Sequence, residues 1–216
     1  MIRSFEDDLL FYGMLNKKIV SDRNLNPKNL KLPKFLAAKK QCTLSGNLAF
    51  SGVGLHSGKK VNMTIRPAPA DSGFIFRIKK SDTTNSYICI RALYKNVKST
   101  QLCTLLSDLN GNTVSTVEHV LSALYGLEVD NVYIDLDSSE IPVYDGSSSD
   151  FVNSILEIGL EEQQSFKKMI KILKKVEVKD GIKVARVSPS DETIITSEIN
   201  YDHPCIGKQS ISVLLN

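Results

Sequence analysis

The feature that most constrains the fold is an amphipathic helix pattern that stands between segments with strand patterns. Within 115–127, four apolar residues recur at the spacing of one helical face: Val117, Val120, Leu121 and Leu124. This spacing predicts an α-helix, and Gly126 predicts its end. Glu118 and His119 lie off the apolar stripe, so the pattern does not place them in the core.

Short strand-like runs precede this helix. They cover residues 43–50, 60–66, 74–78 and 87–90. The glycine-rich stretch 51–58 joins the first two runs, which indicates two antiparallel strands with a shaped loop between them. Residues 1–40 lack sustained periodicity and predict an extension or linker.

The chain after the helix continues with a strand and a second helix. Val132, Ile134 and Leu136 alternate with side chains of the opposite face, which predicts a half-buried strand. A turn at 142–146 leads into a helix expected at 149–159. Strands, helix, strand and helix in this order predict an α+β fold.

The last fifty residues have strand patterns only. Residues 168–179 alternate apolar and polar side chains with a period of two, which predicts a strand with one solvated face. A lysine-rich membrane helix is the alternative, and its spacing does not fit. Asp180-Gly181 predicts a hairpin turn into 183–187, and further strands are expected at 194–199 and 211–215. Because no helix pattern follows, we expect an uncovered apolar face that favours association.

Composition and charge are typical of a soluble globular protein, with 42% hydrophobic and 24% charged residues. The first forty residues hold nine of the 27 Lys and Arg but only four of the 24 Asp and Glu. The rest of the chain is slightly acidic, so a general nucleic-acid surface is not expected. Binding of nucleic acid or a membrane surface through the basic extension is the last of the alternatives.

The number and spacing of the cysteines indicate a reducing compartment. They stand far apart, at 42, 89, 103 and 205, and no C-x-x-C motif, signal peptide or transmembrane segment is recognised. This usage predicts reduced thiols and a cytoplasmic location. Import into an organelle is an alternative that the acidic start of the chain disfavours.

The glycine-rich stretch is a first candidate for phosphate binding. It does not match the dinucleotide pattern, because Ser57 takes the place of the third glycine. It does not match a P-loop either, because three residues instead of four separate Gly54 from Gly58. A turn between strands is the interpretation that the spacing favours.

Glu118 and His119 are the main candidates for chemistry. The run from Ser115 to Glu118 fits a capping box, which would explain Glu118 without catalysis. An adjacent carboxylate and imidazole can also perform metal-dependent hydrolysis, in which the imidazole binds zinc and the carboxylate deprotonates the metal-bound water. A catalytic zinc usually has three protein ligands, and the histidines of this sequence are His56, His119 and His203.

Asp145 and Cys103 are weaker candidates. Asp145 lies in a predicted turn, where a carboxylate commonly bonds to the backbone; orientation of a ligand histidine is the functional alternative. Cys103 could serve as a thiol nucleophile, but no base is implied near it. A packed apolar cysteine is therefore favoured.

Several sequence blocks together resemble the UDP-3-O-acyl-N-acetylglucosamine deacetylase family, whose members are zinc amidases of lipid A synthesis. The blocks lie at 51–59, 66–70, 102–104, 115–119, 130–131, 140–142, 145–147 and 202–204. They occur in order and with spacing similar to that of the family. The resemblance covers about residues 42 to 216.

The resemblance implies two similar α+β domains, each a sheet with paired helices, with the active site between them. On this basis residues 1–41 are an N-terminal extension, 42–164 the first domain, and 165–216 the opening part of a truncated second domain. Complete members are longer. The expected missing half carries a His-x-x-x-Asp segment with two further zinc ligands.

The resemblance also implies roles for individual residues. His119 would be a zinc ligand, and Glu118 the general base that activates the zinc-bound water toward the substrate acetamide. Asp145 would support the metal ligand, and Leu102 and Cys103 would line the cleft near the acyl group. No catalytic role is expected for His56 or His203.

These implications lead to a specific hypothesis with two outcomes. The chain would be the N-terminal part of a deacetylase that hydrolyses UDP-3-O-acyl-N-acetylglucosamine, with zinc ligands completed by a complementary C-terminal fragment. The alternative is a non-catalytic remnant or a binding module for the acyl-sugar nucleotide. Self-association through the uncovered sheet is a further expectation.

Overall fold

A computed structural model describes residues 39–80 and 86–215 of the chain. The chain divides into two compact units at Lys167 and Lys168, called here the first and second units. The expected extension at 1–41 falls almost entirely outside the described residues.

The first unit combines strands with two described α-helices and a short 3-10 helix at Tyr94–Asn96. Its strands are β1 (Lys40–Leu44), β2 (Leu48–Val53), β3 (Lys60–Pro67), β4 (Phe74–Lys79), β5 (Tyr87–Arg91), β6 (Val97–Ser99), β7 (Leu105–Ser107), β8 (Thr113–Val114), β9 (Val132–Leu136) and β10 (Leu160–Phe166). Its helices are α1 (Glu118–Gly126) and α2 (Ser149–Ile158). The mixture confirms the predicted α+β class.

A five-stranded mixed sheet organises this unit, in the order β2-β3-β9-β4-β5. β9 pairs antiparallel with β3 and parallel with β4, and the other neighbours are antiparallel. The smaller sheet β6-β7-β8 and the ribbon β1-β10 complete the described strands of the unit. The predicted strand at 132–136 is thus central to the main sheet.

One apolar cluster joins the sheet and both helices. On β9, Val132, Ile134 and Leu136 are buried, as the alternation of the sequence predicts. The helices contribute Val120, Ala123, Leu124, Phe151 and Ile155 to the same cluster. The helical stripe recognised in the sequence therefore faces the core.

The predicted strand 43–50 is wrong as a single element. The structure breaks it at 45–47 into β1 and β2, which belong to different sheets. The break is fixed by contacts to the end of α2, because Ser45 N donates to Gly159 O at 3.0 Å. A side chain on Gly46 would also come within 3.0 Å of Ile158.

The second unit contains two antiparallel hairpins. They are built from β11 (Val176–Asp180), β12 (Lys183–Val187), β13 (Thr193–Asn200) and β14 (Lys208–Leu215). The turn predicted at Asp180-Gly181 is confirmed, with Asp180 paired to Lys183 and Gly181 at φ +57°.

The predicted strand 168–179 is wrong over its first half, because pairing begins only at Val176. Val176 faces Val187, the last residue of β12. Continuing the register would require pairing with Pro189, which has no N–H to donate. Alternation alone therefore does not make a strand at 168–175.

The hairpin β13–β14 has one apolar face. Its register places Ile195 opposite Val213 and Ser197 opposite Ile211. Ile195, Val213 and Ile211 are exposed, as are the large apolar side chains elsewhere on the hairpin. Among the residues that the structure describes, this apolar face is exposed, as the sequence led us to expect.

We expect hydrogen exchange to separate the two units. Backbone amides of β11 to β14 should exchange faster than those of β9 and α1, because two-stranded hairpins with exposed side chains open at low cost. Exchange of the whole chain followed by mass spectrometry measures this difference. Equal protection across both units would contradict it.

Replacement of Phe151 by alanine should test the shared core. Phe151 is fully buried and meets Phe50 and Tyr144 edge-on, at ring-centroid distances of 5.2 and 5.6 Å. Phe151→Ala should lower the free energy of unfolding by about 3–5 kcal/mol. Urea titration measures the change. The matched control, Leu156→Ala on the exposed side of the same helix, should change it by less than about 0.5 kcal/mol.

Candidate functional site

The candidate pair Glu118 and His119 lies at the first turn of α1. Val117 occupies the N-cap position and gives no side-chain hydrogen bond. The predicted capping box is wrong, because Ser115 lies outside the helix in an isolated parallel bridge with Glu140. Ser115 N donates to Ser139 O at 3.0 Å. Glu118 is consequently not engaged in capping.

The carboxylate of Glu118 is held by the segment that contains Leu102 and Cys103. Thr104 N donates to Glu118 Oε2 at 3.0 Å. Leu102 has a left-handed backbone, with φ +64°, and is 86% exposed, whereas Cys103 is half-buried. The structure thus brings 102–104 and Glu118 together, a contact that sequence spacing did not reveal.

His119 and Asp145 lie near each other where α1 meets the turn before α2. Ser148 Oγ donates to the carbonyl oxygen of His119 at 3.0 Å. Ser147 donates to Asp145 Oδ1 from its backbone N at 2.9 Å and from its Oγ at 2.8 Å. These two hydrogen bonds lower the pKa of Asp145, and the charge of His119 adds a smaller effect in the same direction.

The turn around Asp145 is rigidly built. Tyr144 precedes it with φ +48° and packs its ring against Phe50 and Phe151. Gly146 follows with φ +80°, a conformation that glycine adopts without a steric penalty. Asp145 satisfies the expectation for a turn residue through Ser147, and its functional role stays a prediction.

Glu140 is a residue of this region that sequence reasoning did not single out. It is 3% exposed. Its Oε1 accepts His56 N at 2.8 Å and Thr116 Oγ1 at 3.2 Å, and its Oε2 accepts Ser57 N at 2.8 Å. Burial acts to raise the pKa of Glu140, but the hydrogen bonds from these partners outweigh burial and lower it. The carboxylate is therefore ionised and fully partnered.

Periodicity could not identify Glu140. Its partners lie 24 to 84 residues away along the chain, and the two preceding residues are serines of a bend. The only signal was its membership of the block 140–142. That block carries the resemblance but no assigned role.

The turn predicted for the glycine-rich stretch 51–58 is confirmed for 54–58, which connect β2 with β3, whereas residues 51–53 belong to β2. Gly54 N donates to Lys59 O at 2.9 Å, which closes the loop. A Cβ on Gly54 would lie 2.4 Å from Glu140 Oε2, so a glycine is required there. Because the N–H groups of His56 and Ser57 already bind Glu140, these donors are not open to a phosphate.

The described residues contain too few metal ligands in one place to form a zinc site. Within 39–80 and 86–215, no group of three His, Cys, Asp or Glu side chains is arranged to hold a metal ion. The first unit has His56 and His119, and His56 belongs to the loop held by Glu140. In the second unit, His203 Nδ1 accepts Cys205 N at 3.2 Å. The described residues therefore do not complete a three-ligand zinc site.

None of the described helices has the length and hydropathy needed to cross a membrane.

The first unit is thus an α+β domain with a carboxylate and an imidazole at adjacent positions of a helix start. Residues 41–216 match the family model described as LpxC, UDP-3-O-acyl N-acetylglycosamine deacetylase, and the chain belongs to this family.

Curated relatives agree with the family match. The chain is 46% identical over 176 residues to a UDP-3-O-acyl-N-acetylglucosamine deacetylase of Idiomarina loihiensis, a match that covers 81% of this chain and 56% of the relative. Relatives of the same name from Pseudomonas entomophila and Pseudoalteromonas atlantica are 45% and 40% identical. These matches cover 80% and 82% of this chain and 56% and 57% of the relatives. The chain therefore spans about half the length of the relatives it matches.

Acid should weaken the fold through Glu140. Because its pKa is lower in the folded protein than its ordinary value of 4.5, its contribution to stability is complete above that value. The contribution disappears as the pH falls through the folded-state pKa. Urea titrations between pH 3 and 7 should therefore show a smaller decline of the free energy of unfolding for Glu140→Gln than for the unchanged protein. Glu157→Gln, at an exposed position of α2, controls for loss of a carboxylate and should decline with pH as the unchanged protein does. If Glu140→Gln also declined as steeply as the unchanged protein, the prediction would be contradicted.

Proposed function

We propose that this chain supplies the Glu118–His119 part of the active site for deacetylation of UDP-3-O-acyl-N-acetylglucosamine, the committed step of lipid A synthesis. The names of the relatives support the reaction and the substrate. The observation that carries the proposal is the hydrogen bond from Thr104 N to Glu118 Oε2. It brings the reacting carboxylate to the segment proposed to contact the substrate.

The reaction is hydrolysis of an acetamide. The oxygen of water bonds to the carbonyl carbon, the carbon–nitrogen bond breaks, and acetate and the glucosamine amine are released. Glu118 accepts a proton from the attacking water and returns it to the leaving nitrogen, which is general base and then general acid catalysis. The hydrogen bond from Thr104 fixes one carboxylate oxygen, Oε2, and in this proposal the other oxygen takes the proton of the water.

Leu102 and Cys103 are proposed to contact the acyl chain. Leu102 projects into solvent although its side chain is large and apolar, and its exposed surface suits a hydrocarbon ligand. Cys103 is a free thiol beside it. Asp145 is proposed to support His119, since its carboxylate lies within electrostatic range of that residue.

His119 is the one residue of this chain that we propose as a zinc ligand. The imidazole of His119 is the ligand that the family resemblance assigns to this chain. Because no three-ligand group exists among the described residues, these residues alone do not fit a complete catalytic zinc site. We expect the chain by itself to bind zinc weakly.

We propose that a complementary polypeptide of the same family completes the site. The relatives have length that the match does not cover, and the apolar face of β13–β14 is exposed. Burial of such a face favours association. Pairing of two copies of this chain through the same face is the competing outcome.

We place the reaction in the cytoplasm. The described cysteines at 42, 89, 103 and 205 are all free thiols, a state that a reducing compartment maintains.

The assignment of Glu118 and His119 is tested by acetate release. The purified chain is assayed alone and after mixing with the part of the Idiomarina loihiensis relative that the match does not cover, with zinc and UDP-3-O-acyl-N-acetylglucosamine. The mixture should release acetate. Glu118→Ala should reduce the rate at least about 100-fold, because a general acid–base group contributes that much or more. His119→Ala should reduce it at least as much, because it removes the proposed zinc ligand.

Glu157→Ala removes an exposed carboxylate from α2 and should leave the rate of acetate release unchanged. Activity that survives Glu118→Ala or His119→Ala would overturn the assignment. Binding of the substrate by the chain without acetate release in any mixture would instead favour a binding module. Light scattering on the chain alone distinguishes self-association from a complementary partner.

A further inference from the structure

The carboxylate of Glu140 lies between two segments that are distant in sequence. On one side it accepts the N–H groups of His56 and Ser57, in the loop between β2 and β3. On the other side it accepts the hydroxyl of Thr116, two residues before Glu118. One buried side chain therefore connects the loop with the entry to α1.

The loop is shaped around this carboxylate. Gly54 approaches Glu140 so closely that a Cβ would contact Oε2 at 2.4 Å and Ser57 Oγ at 2.5 Å. Gly54 also forms an isolated antiparallel bridge with Pro142. Because consecutive N–H groups point at one carboxylate, the loop backbone is fixed by charge-assisted hydrogen bonds, which are stronger than neutral ones.

Thr116 has a conformation that needs support. It is buried and has φ +59°, which is a genuine outlier for a β-branched residue. Such a backbone persists only where its surroundings over-determine it. Its hydroxyl is held by Glu140, and the residue before it accepts Ile141 N at 3.1 Å through its carbonyl oxygen.

The direction of the chain at Thr116 determines where Glu118 begins α1. A relaxed backbone at Thr116 would rotate the first turn and separate the Glu118 carboxylate from Thr104 N, which now lie 3.0 Å apart. It would also move His119, whose carbonyl oxygen is bound by Ser148. Glu140 contacts neither Glu118 nor His119 directly among its hydrogen bonds.

We infer that Glu140 is a positioning residue: its carboxylate couples the loop 54–58 to Thr116 and thereby fixes Glu118 and His119 for the reaction, a role that rests on the function proposed above. The loop 54–58 and the start of α1 are then coupled. Disturbance of either should be transmitted to the other through this carboxylate.

The coupling is tested by NMR on the labelled whole chain. Glu140→Gln retains the shape but replaces one acceptor oxygen by an NH₂ donor that faces other donors. The amides of His56 and Ser57 should exchange at least about tenfold faster. The backbone amide and the imidazole resonances of His119, to which Glu140 makes none of its hydrogen bonds, should shift at the same time.

A second pair of variants separates coupling from general loss of stability. Thr116→Val removes the hydroxyl and keeps the branched shape; it should shift the amides of His56 and Ser57 as well as that of His119. Thr116→Ser retains the hydroxyl donor. The amide resonances of His56 and Ser57 in this variant should match those of the unchanged protein. If Glu140→Gln does not fold, this pair gives the result.

Asp108→Asn is the matched control. Asp108 also accepts backbone N–H groups, from Asn110 and Asn112, in the turn between β7 and β8. Its replacement should loosen that turn and leave the His119 resonances unchanged. Unchanged His119 resonances in both Glu140→Gln and Thr116→Val would overturn the inference.

Failure of this inference and failure of the proposed function give different results. If the mixture releases acetate and loses it in Glu118→Ala, but the His119 resonances are insensitive to Glu140, only the positioning role is wrong. If the resonances respond but no mixture releases acetate, the coupling holds and the deacetylase function is wrong. With both correct, Glu140→Gln should lower kcat at least tenfold with little change of KM, because Glu140 is only 3% exposed and its side chain is not open to a ligand.

Discussion

The pairing of β9 with both β3 and β4 is the constraint on which the first unit depends. β9 is the middle strand of the main sheet, and its three inward side chains are buried. α1 ends shortly before it and the segment with Glu140 and Asp145 begins shortly after it. Because β9 is paired on both edges, the segments that precede and follow it in the chain, which carry the candidate site, start from a fixed strand.

The site itself is built from polar contacts on this apolar base. Thr104 N holds Glu118, Ser147 holds Asp145, and three donors hold Glu140. No buried side-chain nitrogen or oxygen among the described residues lacks a hydrogen-bond partner. Glu140 is the buried member of this set, and breaking any of its contacts would leave an unpaired group with a desolvation cost. A fixed orientation, which the bond from Thr104 N gives to one oxygen of Glu118, is what the proposed role of that carboxylate requires.

Local patterns predicted the elements whose burial is regular. The stripe from Val117 to Leu124 gave α1, and the alternation from Val132 to Leu136 gave β9. The pattern failed at β10, whose sequence Leu160–Phe166 is mostly polar and exposed and forms a strand only because β1 pairs with it. It failed in the other direction at 168–175, where alternation is present but no described strand pairs with it. Strand formation depends on a partner, and a single sequence window does not contain that partner.

The sequence by itself determined the α+β class, the presence of α1 with the adjacent Glu118 and His119, and the turn that carries Asp145. These features follow from local spacing and turn chemistry. Only the tertiary structure decided that Ser115 does not cap α1, that Thr104 holds Glu118, and that Glu140 joins the glycine-rich loop to Thr116. The reason is that hydrogen bonds between residues 14 to 84 positions apart depend on how β9 and its neighbours fold together, and local propensity carries no information about that arrangement.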